Sequence, residues 1–481
     1  MERMASQFEK GTYLSFDEIC TATAGTLLYN YAATATVCAL AIDSRDCLPD
    51  SLFIPLRGEK QDGHQYCEAA LQNGARCFFI DEAFFRNTAQ STVEKLCAVY
   101  DAACILVKNT LYALQDCARY FVTKFPQLIK IAITGSSGKT TTKEILASIL
   151  SAYRPTVFSE ANFNSETGLP LSVFKIKRNA VYAVFEMGMN RKNEIAELAR
   201  IVKPKLALIT NIGTAHIGML GSRENIAKEK KQIFSQFTDE CTGFIPRDEW
   251  SEFLAAGVKG QVQCIDIKKT VGEKFTQRKS LGTAGYEFYY AGTKIHFALV
   301  GEHNLTNAVM AVCVAEFLKV PVQYIVAGLQ NVHALYGRAE IVQGTKAQYL
   351  FDVYNANPQS MHSALSFLED IHSAKRKIAV LGSMLELGDY SFDAHKKIIE
   401  EVEQSNIDFC FLYGDEFYKV FCKLNLHGTD VKKFCVFKTD EAKELAEKIN
   451  AIVEAGDFIL LKGSRSLELE RFAKCLGGNI Q

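Results

Sequence analysis

Apolar positions along the chain change rhythm twice. Up to about residue 125 the patterns are short and mixed: Ala41-Ile42-Asp43-Ser44-Arg45, then Ser51 to Gly58, predict strand, polar loop, strand and loop. A small α/β domain is expected there. From Lys130 compact apolar runs alternate with amphipathic stretches, predicting strands at 131–134, 181–187 and 206–212 and helices near 139–151 and 191–201. That alternation describes a doubly wound, largely parallel sheet. Residues 285–300 predict a hairpin turning near Gly292, an antiparallel appendage, followed by a helix over 304–318. A second alternating series, with strands at 349–354, 377–382, 409–413, 434–438 and 458–462, predicts a Rossmann-like unit. The expected domains are 1–125, 126–336 and 337–481, the second break lying near Tyr336-Gly337-Arg338.

Composition narrows the function classes. A chain of 481 residues with 48% hydrophobic and 23% charged positions is too long for one small module and suits a globular enzyme. Lys plus Arg number 54 against 55 Asp plus Glu, so no global field favours nucleic acid or an anionic membrane. Any polyanion must be recognised locally. The uncharged run Ile19 to Ile42 holds five threonines, Gly25 and Asn30, which argues against a membrane span. No basic-then-apolar signal pattern opens the sequence, and none of the 15 cysteines forms Cys-x-x-Cys. Reduced thiols in a cytoplasmic protein are expected, many of them small buried hydrophobes, as in Cys77-Phe78-Phe79-Ile80.

The chemistry centres on Ile131-Ala132-Ile133-Thr134-Gly135-Ser136-Ser137-Gly138-Lys139-Thr140-Thr141, an apolar strand, a glycine-rich turn and a helix start. Glycines let backbone N–H groups face phosphate, Lys139 reaches the β/γ-phosphates, and the Thr140 hydroxyl suits Mg²⁺. Ile133 stands where the usual pattern has its first glycine. By itself such a loop leaves kinase, GTPase, motor and ligase open. Glu186 and His216 follow the ends of two further predicted strands, on the same rim as the loop, and both could reach Mg²⁺. A solvated acid and a helix-capping histidine are the local alternatives.

Together with the segments that follow, these residues resemble the ATP-dependent Mur ligases of bacterial cell-wall synthesis. The phosphate loop resembles theirs, the missing first glycine included. The run Ala215 to Ser222 with Ile226 to Phe234 resembles the family's second-metal segment, and Lys230 falls where the family carries a lysine carbamylated by CO₂. Without the family, Lys230 is one of three lysines on a helix, with Lys228 and Lys231 expected on other faces. Gly301 to Ala308 resembles the adenine-side helix, which places Asn304 and Asn307 at ATP, although an Asn pair opening a helix also suits capping. Arg338 and Asp352 resemble the pair that approaches ATP from the closing domain.

Within the family, Asp43-Ser44-Arg45, Phe53 to Gly58 and Asp62-Gly63-His64 resemble the uridine-nucleotide domain, assigning Ser44 and Arg45 to substrate. The string Tyr354-Asn355-Ala356-Asn357-Pro358 resembles the branch that adds the terminal dipeptide. The resemblance implies that Tyr354, Asn355 and Asn357, with Asn162 and Asn164, contact substrate. It also implies ATP, two Mg²⁺ ions and a carbamylated lysine as cofactors, and UDP-N-acetylmuramoyl-tripeptide and D-alanyl-D-alanine as substrates. Neither nucleic acid nor membrane insertion is implied, and a monomer with an open resting form is expected. The resemblance reaches the C-terminus through Val380 to Gly388, His395 and Leu461 to Arg465. Its departures are Ser383, Ser165 and Thr167. A folylpolyglutamate-synthase-like ligase lacks the Asp-Ser-Arg domain, and a nucleotide-switched scaffold would not turn over both substrates.

Overall fold

The computed structural model describes residues 5–58, 60–160, 162–424 and 433–475. Three α/β units each carry a six-stranded sheet. In the first, the strands run in the order Ala5–Gln7, Ala39–Ala41, Ser51–Phe53, Ala75–Asp81, Ala103–Val107 and Thr26–Asn30, parallel inside and antiparallel at both edges. The second sheet is wholly parallel: Thr156–Phe158, Tyr182–Glu186, Ile129–Thr134, Leu206–Ile209, Thr242–Pro246 and Gln261–Ile265. These segments are rich in β-branched residues and almost unbroken by charge, the pattern of strands covered on both faces. The strand Leu206–Ile209 ends three residues sooner than the apolar pattern suggests, because Thr210 and Asn211 turn to the phosphate loop.

Against this sheet the hairpin Tyr286–Tyr290 and Thr293–Phe297 turns at Gly292, as the pattern indicates, and gains a third strand, Thr276–Ser280. That strand is exposed throughout and polar, so it carries no apolar signal to read. The third sheet runs Glu340–Gln343, Gln348–Asp352, Phe458–Lys462, Lys377–Gly382, Phe409–Tyr413 and Phe434–Phe437, parallel except for its first pair. Both parallel sheets place a later strand beside an earlier one near their middle, and loops at the carboxyl ends there form a crevice.

Aromatic rings join the first unit to the second. Phe8 lies 4.9 Å from Phe121 and 5.5 Å from Phe174, and Phe121 meets Phe174 edge-on at 5.2 Å. The third unit docks on the second through backbone: Gly218 N donates to Glu386 O at 3.0 Å. A Cβ on Gly218 would come within 2.6 Å of Gly388 N, so glycine is required for this approach. Where an open form was expected, the structure has the C-terminal unit docked. Among the described residues no helix is long and apolar enough to cross a membrane. The described cysteines from Cys20 to Cys435 are free, and Cys77 and Cys410 are fully buried.

Candidate active site

The strand Ile129–Thr134 ends in a loop whose shape is fixed by its neighbours. Gly135 has φ +154, and a Cβ there would lie 1.8 Å from Thr210 Oγ1. Gly138 has φ +75, and its Cβ would lie 2.3 Å from Asn307 Oδ1. Both positions therefore demand glycine. Ile133, at the position of the missing glycine, is a buried strand residue, so the turn starts later. The helix Lys139–Tyr153 begins at Gly138 and buries Ile145, Leu146, Ile149 and Leu150 on one side.

Thr210 and Asn211 brace this loop. Thr210 Oγ1 donates to Ser137 O at 2.6 Å, and Asn211 exchanges bonds with Ser137, accepting from its N–H at 3.1 Å and donating to its Oγ at 2.9 Å. Ser136 N donates to Asn211 O at 3.1 Å while Ser136 Oγ accepts from Gly213 N at 2.8 Å. The N–H groups of Ser136 and Ser137 are thus occupied within the loop. The helix-start N–H groups of Lys139, Thr140 and Thr141 have no intrahelical acceptor and carry the positive end of the dipole.

Two lysines converge on one carbonyl. Lys139 Nζ and Lys230 Nζ each donate to Gly135 O at 2.9 Å. Lys230 is buried beside Ile226 and Ala227 on its helix Arg223–Lys231, so it is no part of a solvated face. Burial, with the positive charge of Lys139 nearby, pushes its ammonium well below the usual lysine range. Lys139 is also lowered by burial, with Glu186 opposing. Lys228 and Lys231 point away from Lys230: Lys228 is exposed, and Lys231 bonds Phe253 O at 2.7 Å and Ala256 O at 2.6 Å.

Glu186 closes the strand Tyr182–Glu186 and is buried. Its Oε1 accepts from Asn164 Nδ2 at 2.8 Å, while Oε2 is buried without a hydrogen-bond partner. An unpaired buried carboxylate oxygen is costly and fits a cation-binding role. His216 lies in the left-handed region at φ +63, with Nδ1 2.7 Å from Glu386 Oε2 but off the line of a hydrogen bond. Among the described residues, no three His, Cys, Asp or Glu side chains form a metal cluster. Any site built on Glu186 and His216 needs its third ligand from elsewhere.

From the C-terminal sheet, Arg338 stacks 3.7 Å over the Tyr354 ring. Burial raises the Tyr354 hydroxyl above its usual range, with the Arg338 charge opposing. Asp352 Oδ1 accepts from Ala339 N at 3.1 Å, and Oδ2 lies 2.5 Å from Lys462 Nζ. Lys462 also donates to Asn355 O at 3.1 Å. Asn304 Nδ2 donates to Val300 O at 2.8 Å, Asn307 Nδ2 to Asn304 Oδ1 at 3.0 Å, and Thr142 Oγ1 to Asn307 Oδ1 at 3.3 Å. These amides are neither caps nor free, since they tie the helix Glu302–Phe317 to the phosphate-loop helix.

A single cleft of about 850 Å³ is lined by the phosphate loop from Ser136 to Thr141 and by Asn162, Asn164, Glu186, His216 and Lys230. Asn304, Asn307, Arg338, Asp352, Tyr354, Asn355 and Asn357 line it as well. Asn357, however, caps the helix Pro358–Glu369: its Oδ1 accepts from Ser360 N at 2.9 Å, and Ser360 Oγ accepts from its N–H. Asn355 Oδ1 accepts from Ala356 N at 2.8 Å. Their side-chain oxygens serve local geometry.

Ser44 and Arg45 stand apart from this cleft, Arg45 being exposed and paired with Asp43 at 2.5 Å. The departures have local work. Ser165 Oγ accepts from Gly168 N, and buried Ser383 accepts from Phe417 N at the start of the helix Asp415–Lys423. His395 Nε2 accepts from Met384 N at 2.9 Å and shapes the neighbouring loop. Thr210, Asn211, Glu386 and Lys462 are site residues to which the sequence pattern assigns no individual role. A lysine ending the apolar run Phe458-Ile459-Leu460-Leu461 was the available signal for Lys462.

Residues 36–122 match the model of the Mur ligase family catalytic domain, residues 133–315 the Mur ligase middle domain and residues 337–465 the Mur ligase glutamate ligase domain. The chain belongs to the Mur ligase family. It is 39% identical over 463 residues to the UDP-N-acetylmuramoyl-tripeptide–D-alanyl-D-alanine ligase of Treponema pallidum, covering 96% of this chain and 99% of that one. The enzyme of the same name from Bacillus subtilis is 31% identical over 460 residues, covering 94% and 96%. A crystal structure of MurF from Acinetobacter baumannii superposes with a TM-score of 0.82 at 28% identity, covering 97% of this chain and 99% of that one.

Proposed function

We propose that the chain joins D-alanyl-D-alanine to UDP-N-acetylmuramoyl-tripeptide at the expense of ATP, as a cytoplasmic monomer with domains 1–125, 126–336 and 337–481. The observation that carries this reading is the cleft itself, where a phosphate loop on one sheet faces Arg338, Asp352 and Tyr354 on another. The near full-length likeness to ligases of that name selects the substrates.

A carboxylate does not acylate an amine at neutral pH, because oxide is a poor leaving group. ATP transfers its γ-phosphoryl group to the tripeptide carboxylate, ADP departs, and the dipeptide amine attacks the acyl phosphate and expels phosphate. The nitrogen loses its proton as the amide forms. Lys139 and Arg338 offset charge on the transferring group, so this chain's task is positioning and electrostatics rather than covalent catalysis. To do so, Lys139 exchanges Gly135 O for phosphate and Arg338 leaves the Tyr354 ring. Asn304 and Asn307 hold the adenine-side helix against the loop.

The residues present fit Mg²⁺. Thr140 would hold one ion, and Glu186, with its unpaired oxygen, would hold a second with His216 and Lys230. Bound Mg²⁺ supplies positive charge to the phosphoryl oxygens. Burial disfavours the Lys230 ammonium and so favours the free amine, the form that reacts with CO₂ with loss of a proton, and the resulting carbamate would supply the missing oxygen ligand. Ser44 and Arg45 are assigned to the uridine nucleotide, which would extend from the first domain to the cleft.

Phosphate release in the presence of ATP tests this reading. Release should require both the tripeptide nucleotide and the dipeptide, and the product mass should equal their sum less one water. Turnover with L-glutamate in place of the dipeptide would favour the folylpolyglutamate-type reading instead.

A further inference from the structure

His216 and Glu386 meet across the seam between the middle and C-terminal domains, and each carries a left-handed backbone at φ +63. For non-glycine residues such a conformation is uncommon and persists where surrounding contacts enforce it. Here the enforcing contacts are identifiable. Glu386 O accepts from Gly218 N at 3.0 Å, Leu385 N donates to Ser464 Oγ at 2.9 Å, and Tyr390 Oη donates to Gly221 O at 3.3 Å. The result delivers a carboxylate from one domain to the imidazole of the other. His216 Nδ1 is a buried polar atom with no hydrogen bond in line, and Glu386 Oε2 lies 2.7 Å from it.

We propose that Glu386 is a positioning residue for His216: docking of the C-terminal domain brings its carboxylate to Nδ1, fixing the ring so that the other nitrogen serves the metal in the cleft. Metal-binding imidazoles are commonly oriented by a carboxylate at their second nitrogen. In this chain that partner belongs to a different domain from the other candidate ligands, Glu186 and Lys230. The metal site is therefore complete in the docked arrangement and loosened when the domains part, so domain closure and metal competence are coupled. The inference rests on the reading of His216 as a metal ligand.

The test uses the full chain with bicarbonate, titrating Mn²⁺ by electron paramagnetic resonance without nucleotide, so that no phosphate contributes ligands. Solution scattering follows docking in the same samples. Glu386→Ala keeps the main-chain bond to Gly218 and should remain docked, yet bind Mn²⁺ about 10- to 100-fold more weakly. Glu386→Gln retains an acceptor for Nδ1 and should bind near the parent affinity. Unchanged Mn²⁺ affinity in Glu386→Ala overturns the proposal. Equal losses in the Gln and Ala variants overturn it too, because charge and not orientation would then be responsible. Weak binding accompanied by undocking would assign Glu386 to domain association and likewise overturn it. Failure of the ligase reading appears separately, as absence of ligated product from the parent enzyme.

Discussion

The rims of the middle and C-terminal sheets face one another across the cleft, and they spend their polar groups differently. On the middle rim, Thr210 and Asn211 hold the phosphate loop from behind and leave the helix-start N–H groups and the Lys139 ammonium for the ligand. On the C-terminal rim the amides of the Tyr354 to Asn357 string are turned inward, to a helix cap and a tight turn. Asp352 is held by Lys462. One rim presents reactive groups, and the other builds a rigid support for Arg338 and Tyr354. A motif that looks like a ligand contact can therefore be the scaffold that shapes the contact.

Lys139→Ala should break the middle rim most severely, lowering kcat by ~10²- to 10³-fold, the usual cost of one lost electrostatic contact to a transition state. Circular dichroism should show the fold intact, since Lys139 Nζ bonds the loop carbonyl and no core group. Normal turnover would remove the lysine from the mechanism. Lys230→Ala should also lose activity, with partial rescue by formate or acetate and with the parent enzyme slowed in CO₂-depleted buffer. Equal behaviour of Lys228→Ala and Lys230→Ala would count against the carbamate.

Lys230 also predicts a stability effect opposite in direction. Its ammonium is disfavoured in the folded state, so between the lowered value and the ordinary 10.5 the unfolded chain holds a proton that the folded chain releases. Stability from this group accordingly rises with pH across that window and levels off above it. In CO₂-depleted buffer Lys230→Met should melt higher than the parent at neutral pH, the gain shrinking as pH approaches 10.5. An equal or lower melting temperature would mean that the lysine is accommodated as an ammonium.

On the C-terminal rim the expected effect is smaller. Asn357→Ala should cost about 1 kcal/mol of stability through loss of the helix cap. Asn357→Ser should recover most of it, and the dipeptide KM should move little. A dipeptide KM raised strongly by both substitutions, with melting unchanged, would make Asn357 a direct contact and erase the difference between the rims.

Much of this was legible in the sequence. The parallel strands and the phosphate loop follow from apolar runs and a glycine turn, both local patterns. Glu186, His216 and Lys230 were found by strand position and family resemblance, and the structure brings all three to the cleft. What escaped depends on distant partners. Asn211 bonds a loop 74 residues away, and Lys462 reaches Asp352 across 110 residues. Nothing at either position alone announces the partner. The polar strand Thr276–Ser280 lacks an apolar face to read, and Asn357 was legible as a cap by its place before Pro358.

The most direct test of phosphoryl activation is isotopic. Tripeptide nucleotide carrying two ¹⁸O atoms in its reacting carboxylate is ligated to the dipeptide, and the released phosphate is weighed by mass spectrometry. An acyl-phosphate route predicts one ¹⁸O in each phosphate and one retained in the new amide. Phosphate free of label, formed in step with ligated product, would contradict it.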